Sequence, residues 1–253
     1  MEIMPDNSLA IVILHYGKPE LTAKLERQLK ADVQNSKGLN IPVLVLDNAA
    51  PQLYPDSWQR LDENLYWAGA FEWAMRRLSE EGFKRVWFLN NDLYFVSRPP
   101  LVGSVVGRLA RMEIALGRVG IYAPSVTSNP YHPQMEQRSQ AQFRQVNLVD
   151  GIAPLVHVDA WREAGGLAFG MNPFGYGVDL DFSARVAKAG WVLAVDHQVC
   201  VRHIYHSTAR TVDGFMDTAA RAEAEFLAQR FGPDWRETLR RLKNDFTDYE
   251  TFR

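Results

Sequence analysis

One cysteine, Cys200, is all that the 253 residues contain. An intramolecular disulfide is therefore excluded, and no close-spaced Cys or His framework for zinc is present. Flanked by Val199 and Val201, Cys200 reads as a buried strand residue. Long apolar runs are missing too. None approaches the ~20 residues that cross a bilayer, and the opening Met1-Glu2-Ile3-Met4-Pro5-Asp6 has neither the positive region nor the apolar region of a signal peptide. With the lone thiol, this predicts a cytoplasmic protein. An excess of one charge is also absent: 28 Lys and Arg stand against 30 Asp and Glu, a formal net charge of −2. No basic face marks a nucleic-acid partner. There is no Gly-x-x-x-x-Gly-Lys-Ser/Thr loop, and the first strand runs into His15-Tyr16-Gly17-Lys18 rather than a Gly-x-Gly-x-x-Gly turn. P-loop and dinucleotide sites are thereby excluded. Repeats, low-complexity stretches and a linker-like break in composition are lacking, so a single domain over 1–253 is expected.

What is present is an ordinary folded composition, 47% hydrophobic and 23% charged, enough for a sizeable α/β core. Leu9–Leu14 is a continuous apolar run that reads as a central strand. Pro19 opens a helix to about Ala31, with Leu21, Leu25 and Leu29 on one face. A second strand covers Val43–Leu46, a helix Ala68–Glu81 ends at Gly82, and Arg85–Leu89 is a third strand. Alternation at this spacing predicts an α/β fold with a mostly parallel, Rossmann-like sheet flanked by helices. A helix over Leu101–Leu116 and a strand over Val119–Ala123 complete this half. The polar stretch Pro124–Gln145 reads as a long functional loop. Beyond it the pattern gives a strand Val149–Val158, a short helix capped by Asp159, a helix Leu180–Ala189, two short strands (Trp191–Val195 and Val199–Arg202), and terminal helices Asp213–Phe231 and Asp234–Phe246.

Carboxylates collect where strands end. The run Arg85-Val-Trp-Phe-Leu-Asn-Asn-Asp92 stops at two amides and an acid, and active groups of open α/β sheets gather outside the carboxyl ends of strands. Asp47 closes the second strand, Asp179 and Asp181 lie in Gly175-Tyr-Gly-Val-Asp-Leu-Asp181, and His203 and His206 follow a late strand. Carboxylates with a histidine suit a divalent cation completed by a diphosphate. Asp181 stands four residues before Arg185, the spacing of a helix-surface ion pair.

In order along Leu9–Ser207, these segments resemble the family-2 glycosyltransferases of the GT-A fold. The resemblance implies a nucleotide-sugar-binding half (1–123), an acceptor and catalytic half (124–212) and C-terminal helices (213–253). His15 and Tyr16 fall on the nucleotide-contacting turn, and Asp47, with Asn48 beside it, on the contact to the donor's base. Trp67 and Gly69 fall in the donor-binding segment that opens a helix. Phe88-Leu-Asn90-Asn91-Asp92 resembles the metal and diphosphate motif, with Asn90 in place of its first acid. Asp92, with His203, would then hold Mg²⁺ or Mn²⁺. Val149-Asp-Gly151 to Gly165-Gly166-Leu167 resembles the acceptor-side segment. The usual Glu-Asp pair that supplies the catalytic base aligns with Tyr176-Gly177, which cannot act as one; Asp179 is the nearest replacement, with Asp181 behind it.

The resemblance implies an inverting, metal-dependent transfer of a hexosyl or deoxyhexosyl group from a nucleotide-diphosphate sugar to a carbohydrate or other hydroxyl acceptor, as in polysaccharide biosynthesis. Two rivals stand beside it. A nucleotidyltransferase would carry a Gly-rich basic loop after the first strand, where only Gly17 and Lys18 are found. A non-catalytic nucleotide- or sugar-binding protein is favoured by the missing Glu-Asp pair. The terminal helices could cover the core, meet a partner or lie on a membrane surface, although no strongly basic amphipathic face favours the last. Oligomeric state is not readable.

Overall fold

The computed structural model describes residues 8–36, 38–204 and 214–252. Strand β1 (Leu9–His15) is buried at every position, as its apolar run Leu9–Leu14 must be when both faces of its sheet are covered. It pairs in parallel with β2 (Val43–Asp47) on one side and β4 (Arg85–Asn90) on the other. Between them pass α1 (Pro19–Asn35) and α2 (Tyr66–Glu80). A two-residue strand β3 (Gln59–Arg60) extends the edge beyond β2. After β5 (Leu93–Phe95) comes α3 (Leu101–Leu116), whose first N–H groups are held by the buried Asp32 carboxylate at the far end of α1. That cap ties two helices across one face of the sheet.

The second half adds β6 (Val119–Val126), β7 (Phe143–Val146), β8 (Leu155–His157), α4 (Val158–Glu163), α5 (Val178–Lys188), β9 (Val192–His203), α6 (Phe215–Phe231), α7 (Trp235–Asn244) and β10 (Thr247–Tyr249). The sheet order is β10-β7-β9-β6-β8-β4-β1-β2-β3, with β5 pairing β9. Parallel pairing prevails by paired length, while β8, β7, β5 and β10 join antiparallel. The α/β class and parallel frame are as the alternation of elements indicates.

Several local expectations differ. The apolar stretch Val149–Val158 is a strand only at Leu155–His157; the rest is irregular because Gly151 and Pro154 interrupt it. The short helix begins at Val158, and its cap is His157, whose ring accepts from the Asp159 N–H. The two strands expected around Cys200 are one continuous β9 with a register shift against β6 between Pro124 and Ser125. Cys200 itself is buried. The long polar stretch is shorter than read: β6 continues to Val126, a 3₁₀ turn holds Pro133–Met135, and β7 starts at Phe143.

What matters for function is register. His15 lies opposite Asp47, and Leu14 opposite Asn90. The carboxyl ends of β1, β2 and β4 therefore open on one edge. The hairpin into β5 carries the chain from Asp92 to β9, where Leu93 faces His203.

Candidate functional site

The Asn90-Asn91-Asp92 turn leaves β4 at that edge. Asn91 is buried, and its amide donates to Thr22 Oγ1 at 2.9 Å and to the Tyr16 carbonyl at 3.3 Å. Thr22 in turn meets His15 Nδ1 at 2.7 Å, and His15 Nε2 lies 2.7 Å from the Gln52 carbonyl. A carbonyl only accepts, so Nε2 carries the proton and Nδ1 takes the threonine hydroxyl. The chain of bonds is closed. His15 thus fixes the turn, fully buried, while Tyr16 stays partly exposed beside it.

Asp47 and Asn48 are likewise turned inward. The Asp47 carboxylate accepts from the Ala50 and Tyr54 N–H groups at 2.9 and 3.1 Å and from Arg60 at 2.7 Å, and it is fully buried. Asn48 donates to Asn64 Oδ1 and the Tyr66 carbonyl and accepts from the Leu65 N–H. In this state both hold the loop 48–66 in place; contact with a donor's base would require exchange of these bonds. Trp67, on α2, stacks on Phe71 and covers Gly151, where any Cβ would stand 2.8 Å from its ring. Its indole N–H has no acceptor among the described residues. Gly69, two residues on, is buried against Leu65 one turn before it.

Asp92 and His203 come together, Oδ1 to Nε2 at 2.9 Å. They face each other because the Asp92 carbonyl accepts the Ile204 N–H across the β5–β9 ladder. A carboxylate and an imidazole at this separation fit a divalent ion whose remaining positions are filled by water and a diphosphate. Among the described residues no group of three or more His, Cys, Asp or Glu side chains converges as a cage. Asn90, whose N–H donates to the Ile152 carbonyl, is a neighbour rather than a second acid. His206 lies outside the described residues.

Asp179 stands in the first turn of α5, after Gly177 in the left-handed conformation. Its oxygens accept from the Gly151 N–H at 2.8 Å and the Leu180 N–H at 2.9 Å. Burial, reinforced by the negative charges of Asp150 and Glu223, pushes its carboxyl up to about 7. Both backbone bonds favour the ionised form but do not offset burial. Asp150 is the link to the other half of the site: buried and itself raised by burial, it accepts from Asn129 at 2.5 Å and feels the charge of His203. Asp181 behaves as its spacing indicates. It pairs with Arg185 at 2.9 Å and also with Arg230 of α6 at 2.7 Å, so it fastens two helices together.

Four groups here escape a reading of the sequence. Asp150 had a signal, since it precedes Gly151 in the acceptor-side segment. Glu223 and Lys243, from α6 and α7, had none, because they look like ordinary solvated helix charges. Lys243 donates to the Tyr131 carbonyl at 3.0 Å; burial lowers its ammonium, while Asp179, Glu223 and Asp150 oppose that. His132, in the loop beside it, is pushed down to about 3 by burial and by Lys243. The terminal helices therefore cover the site, with Phe226 and Leu227 of α6 fully buried, each worth about 1.5–3 kcal/mol of burial. Among the described residues no helix is long and apolar enough to cross a membrane.

No family model matches the chain. An uncharacterised protein of Mycobacterium tuberculosis H37Rv is 28% identical over 212 residues, covering 81% of this chain and 77% of its own length. An N-acetylglucosaminyl-diphospho-decaprenol L-rhamnosyltransferase of the same organism is 32% identical over 136 residues, 52% of this chain and 44% of that protein. Among solved structures, a mannosyltransferase from Pyrobaculum calidifontis in complex with GDP-Man and Mn²⁺ superposes with a TM-score of 0.58 at 16% identity, over 92% of this chain and 64% of that one. GalNAc-T7 with UDP, GalNAc and Mn²⁺ gives 0.55 at 12% identity, over 91% and 54%. The chain thus spans about half to two thirds of the length of these structures. It has the GT-A fold, and over about half its length its sequence is similar to that of a rhamnosyltransferase.

Proposed function

From a GT-A fold with a rhamnosyltransferase relative, we propose that this protein is a glycosyltransferase that moves a hexosyl or deoxyhexosyl group from a nucleotide-diphosphate donor to an acceptor hydroxyl. The observation that carries the reading is the pairing of Asp92 with His203, close enough to Asp150 for the imidazole's charge to act on it, with Asp179 in turn feeling Asp150. The pair suits a metal–diphosphate anchor; Asp179 is a carboxylate held near neutrality, the range in which a general base works best. Mn²⁺ or Mg²⁺, when bound at Asp92 and His203, would supply Lewis-acid neutralisation of charge on the departing diphosphate. Mn²⁺ is the ion named in the two structural neighbours.

Asp179 takes the proton from the acceptor oxygen as that oxygen bonds to the anomeric carbon. The bond from that carbon to the diphosphate breaks, and its electron pair leaves with the nucleotide. A single displacement of this kind inverts the anomeric centre. Trp67 and Tyr176 shape the walls, and the half-exposed Tyr16 marks the entry to the nucleotide side. Positioned proton transfer of this kind is typically worth about 10²–10⁴-fold.

The donor half of the reading is tested by thermal unfolding with UDP, GDP and dTDP, each with and without Mn²⁺, since a ligand of the native state raises apparent stability. At least one nucleotide raises Tm in a Mn²⁺-dependent manner in the wild type, and Asp92→Asn abolishes the metal-dependent part. Equal Tm values under all conditions would sink the donor assignment. The rival of a non-catalytic binder retains one supporting observation, the absence of an acid at Tyr176-Gly177; the same panel of nucleotides would shift it, but no donor would be turned over.

A further inference from the structure

The acidic pair that the resemblance expects at 176–177 is missing from the loop, and the fold fills the space from elsewhere. Gly177 has φ +76°, and a Cβ built on it would stand 3.1 Å from Leu227 and 3.3 Å from Cγ of Glu223. Any side chain at 177 is both strained and obstructed by α6. Resting on the glycosyltransferase reading, we propose that Glu223, carried on α6, supplies the second carboxylate of the base site, orienting the acceptor hydroxyl for Asp179.

Three observations converge on it. The first is placement. Glu223 and Leu227 are one helical turn apart on the same face, and both lie on Gly177, two residues before Asp179. That face is held against α5 by Phe226 and Leu227 in the core and by the Arg230–Asp181 bond. The second is selectivity within the helix: of the acids of α6, Asp217 and Glu225 are exposed, whereas Glu223 is only partly so. The third is its lack of an internal partner. Among the described residues no hydrogen bond or ion pair ends on the Glu223 carboxylate, although burial raises its affinity for protons. A partly exposed carboxylate that no internal donor occupies is free to accept a hydrogen bond from a ligand hydroxyl. Asp179, by contrast, spends one lone pair of each oxygen on a backbone N–H.

The charges around the two acids set the expected titration. Asp179 faces Asp150, Glu223 and, from α7, Lys243; Glu223 faces Lys243, Asp179 and the Tyr176 phenol. Lys243 is the positive group that both feel, and it belongs to the same terminal unit as Glu223. The base site is therefore built jointly by the α5 loop and the C-terminal helices.

The test has one arm that needs no activity and one that does. In ¹³C-labelled protein, the side-chain carboxyl resonances of wild type and Glu223→Gln are followed against pH. Loss of the neighbouring charge lowers the Asp179 midpoint by at least about half a pH unit; Glu223→Asp, which keeps the charge, leaves it near the wild-type value. In the second arm, Mn²⁺-dependent hydrolysis of UDP-, GDP- and dTDP-linked sugars is measured. Glu223→Gln slows it by at least about tenfold and moves the acid limb of the rate profile to lower pH, whereas the exposed Asp217→Asn changes neither. An Asp179 midpoint unmoved in Glu223→Gln overturns the proposal, as does a wild-type rate and profile in that variant. Absence of hydrolysis in the wild type itself counts against the enzymatic reading and leaves the titration arm to decide the pairing.

Discussion

Asp179 shows most directly how one side chain couples stability to function. Its folded-state pKa, about 7, is raised above the ordinary carboxylate value by burial and by two like charges. A raised acid contributes stability fully below its unfolded pKa, near 4, and loses that contribution as pH rises through 7. At pH 8 the ionised group is therefore a burden, and Asp179→Asn is expected to raise stability there by up to about 4 kcal/mol, with the gain vanishing below pH 4. The same substitution lowers turnover by about 10²–10⁴-fold. Thermal unfolding at pH 8 and pH 4 checks the first half; a variant less stable than wild type at pH 8 would show that the backbone bonds to Gly151 and Leu180 outweigh the burial.

The residue scale is also where the sequence was most legible and most misleading. Asp92 and His203 are far apart in the chain, yet both stand at strand ends, and the antiparallel pairing of β5 with β9 brings them to 2.9 Å. Asp181 was readable from its spacing to Arg185 alone. Asp47 was not: a carboxylate after a strand looks available for a ligand, and nothing local announces that Ala50, Tyr54 and Arg60 will fold back to occupy it.

At the scale of elements, the contact between α5 and α6 organises the site. Gly177 permits it, and Asp181 locks it with two arginines. Gly177→Ala is expected to cost about 1–3 kcal/mol, because a Cβ in the left-handed region is strained and meets Leu227. Asp181→Ala leaves Arg185 and Arg230 without their buried partner and costs about 1–3 kcal/mol. Denaturant titration measures both, and a loss under about 0.5 kcal/mol in either would remove this contact from the account. Helices and parallel strands were legible because they follow from periodicity and from continuous apolar runs. β5, β7 and β10 were not, since each is a short antiparallel strand whose pairing partner lies far away in sequence and whose local composition carries no alternation.

Across the whole molecule, two sets of buried titratable groups pull stability in opposite directions with pH. His132 is held down to about 3, and His157 and His197 to about 4, chiefly by burial. They bind protons on unfolding, so their contribution is lost as pH falls from about 6.5 towards 4. Asp179, raised to about 7 chiefly by burial, opposes this over the same window, and Asp150 and Glu223, also raised by burial, act in the same direction. Removing one opposing acid by Asp179→Asn should steepen the acid decline by up to about 1.4 kcal/mol per pH unit. Unfolding free energies between pH 4.5 and 6.5 report that slope; an unchanged slope would mean that Asp179 does not titrate as a buried acid.

The central claim, that this fold carries a working sugar-transfer site, is tested most directly by donor turnover. Wild type and Asp179→Asn are incubated with Mn²⁺ and UDP-, GDP- and dTDP-linked sugars, and released nucleoside diphosphate is quantified alongside nucleotide binding. The account predicts that wild type releases nucleotide from at least one donor, and that Asp179→Asn binds that nucleotide while releasing at least about a hundredfold less. A wild-type protein that binds nucleotide yet releases none from any donor would contradict it.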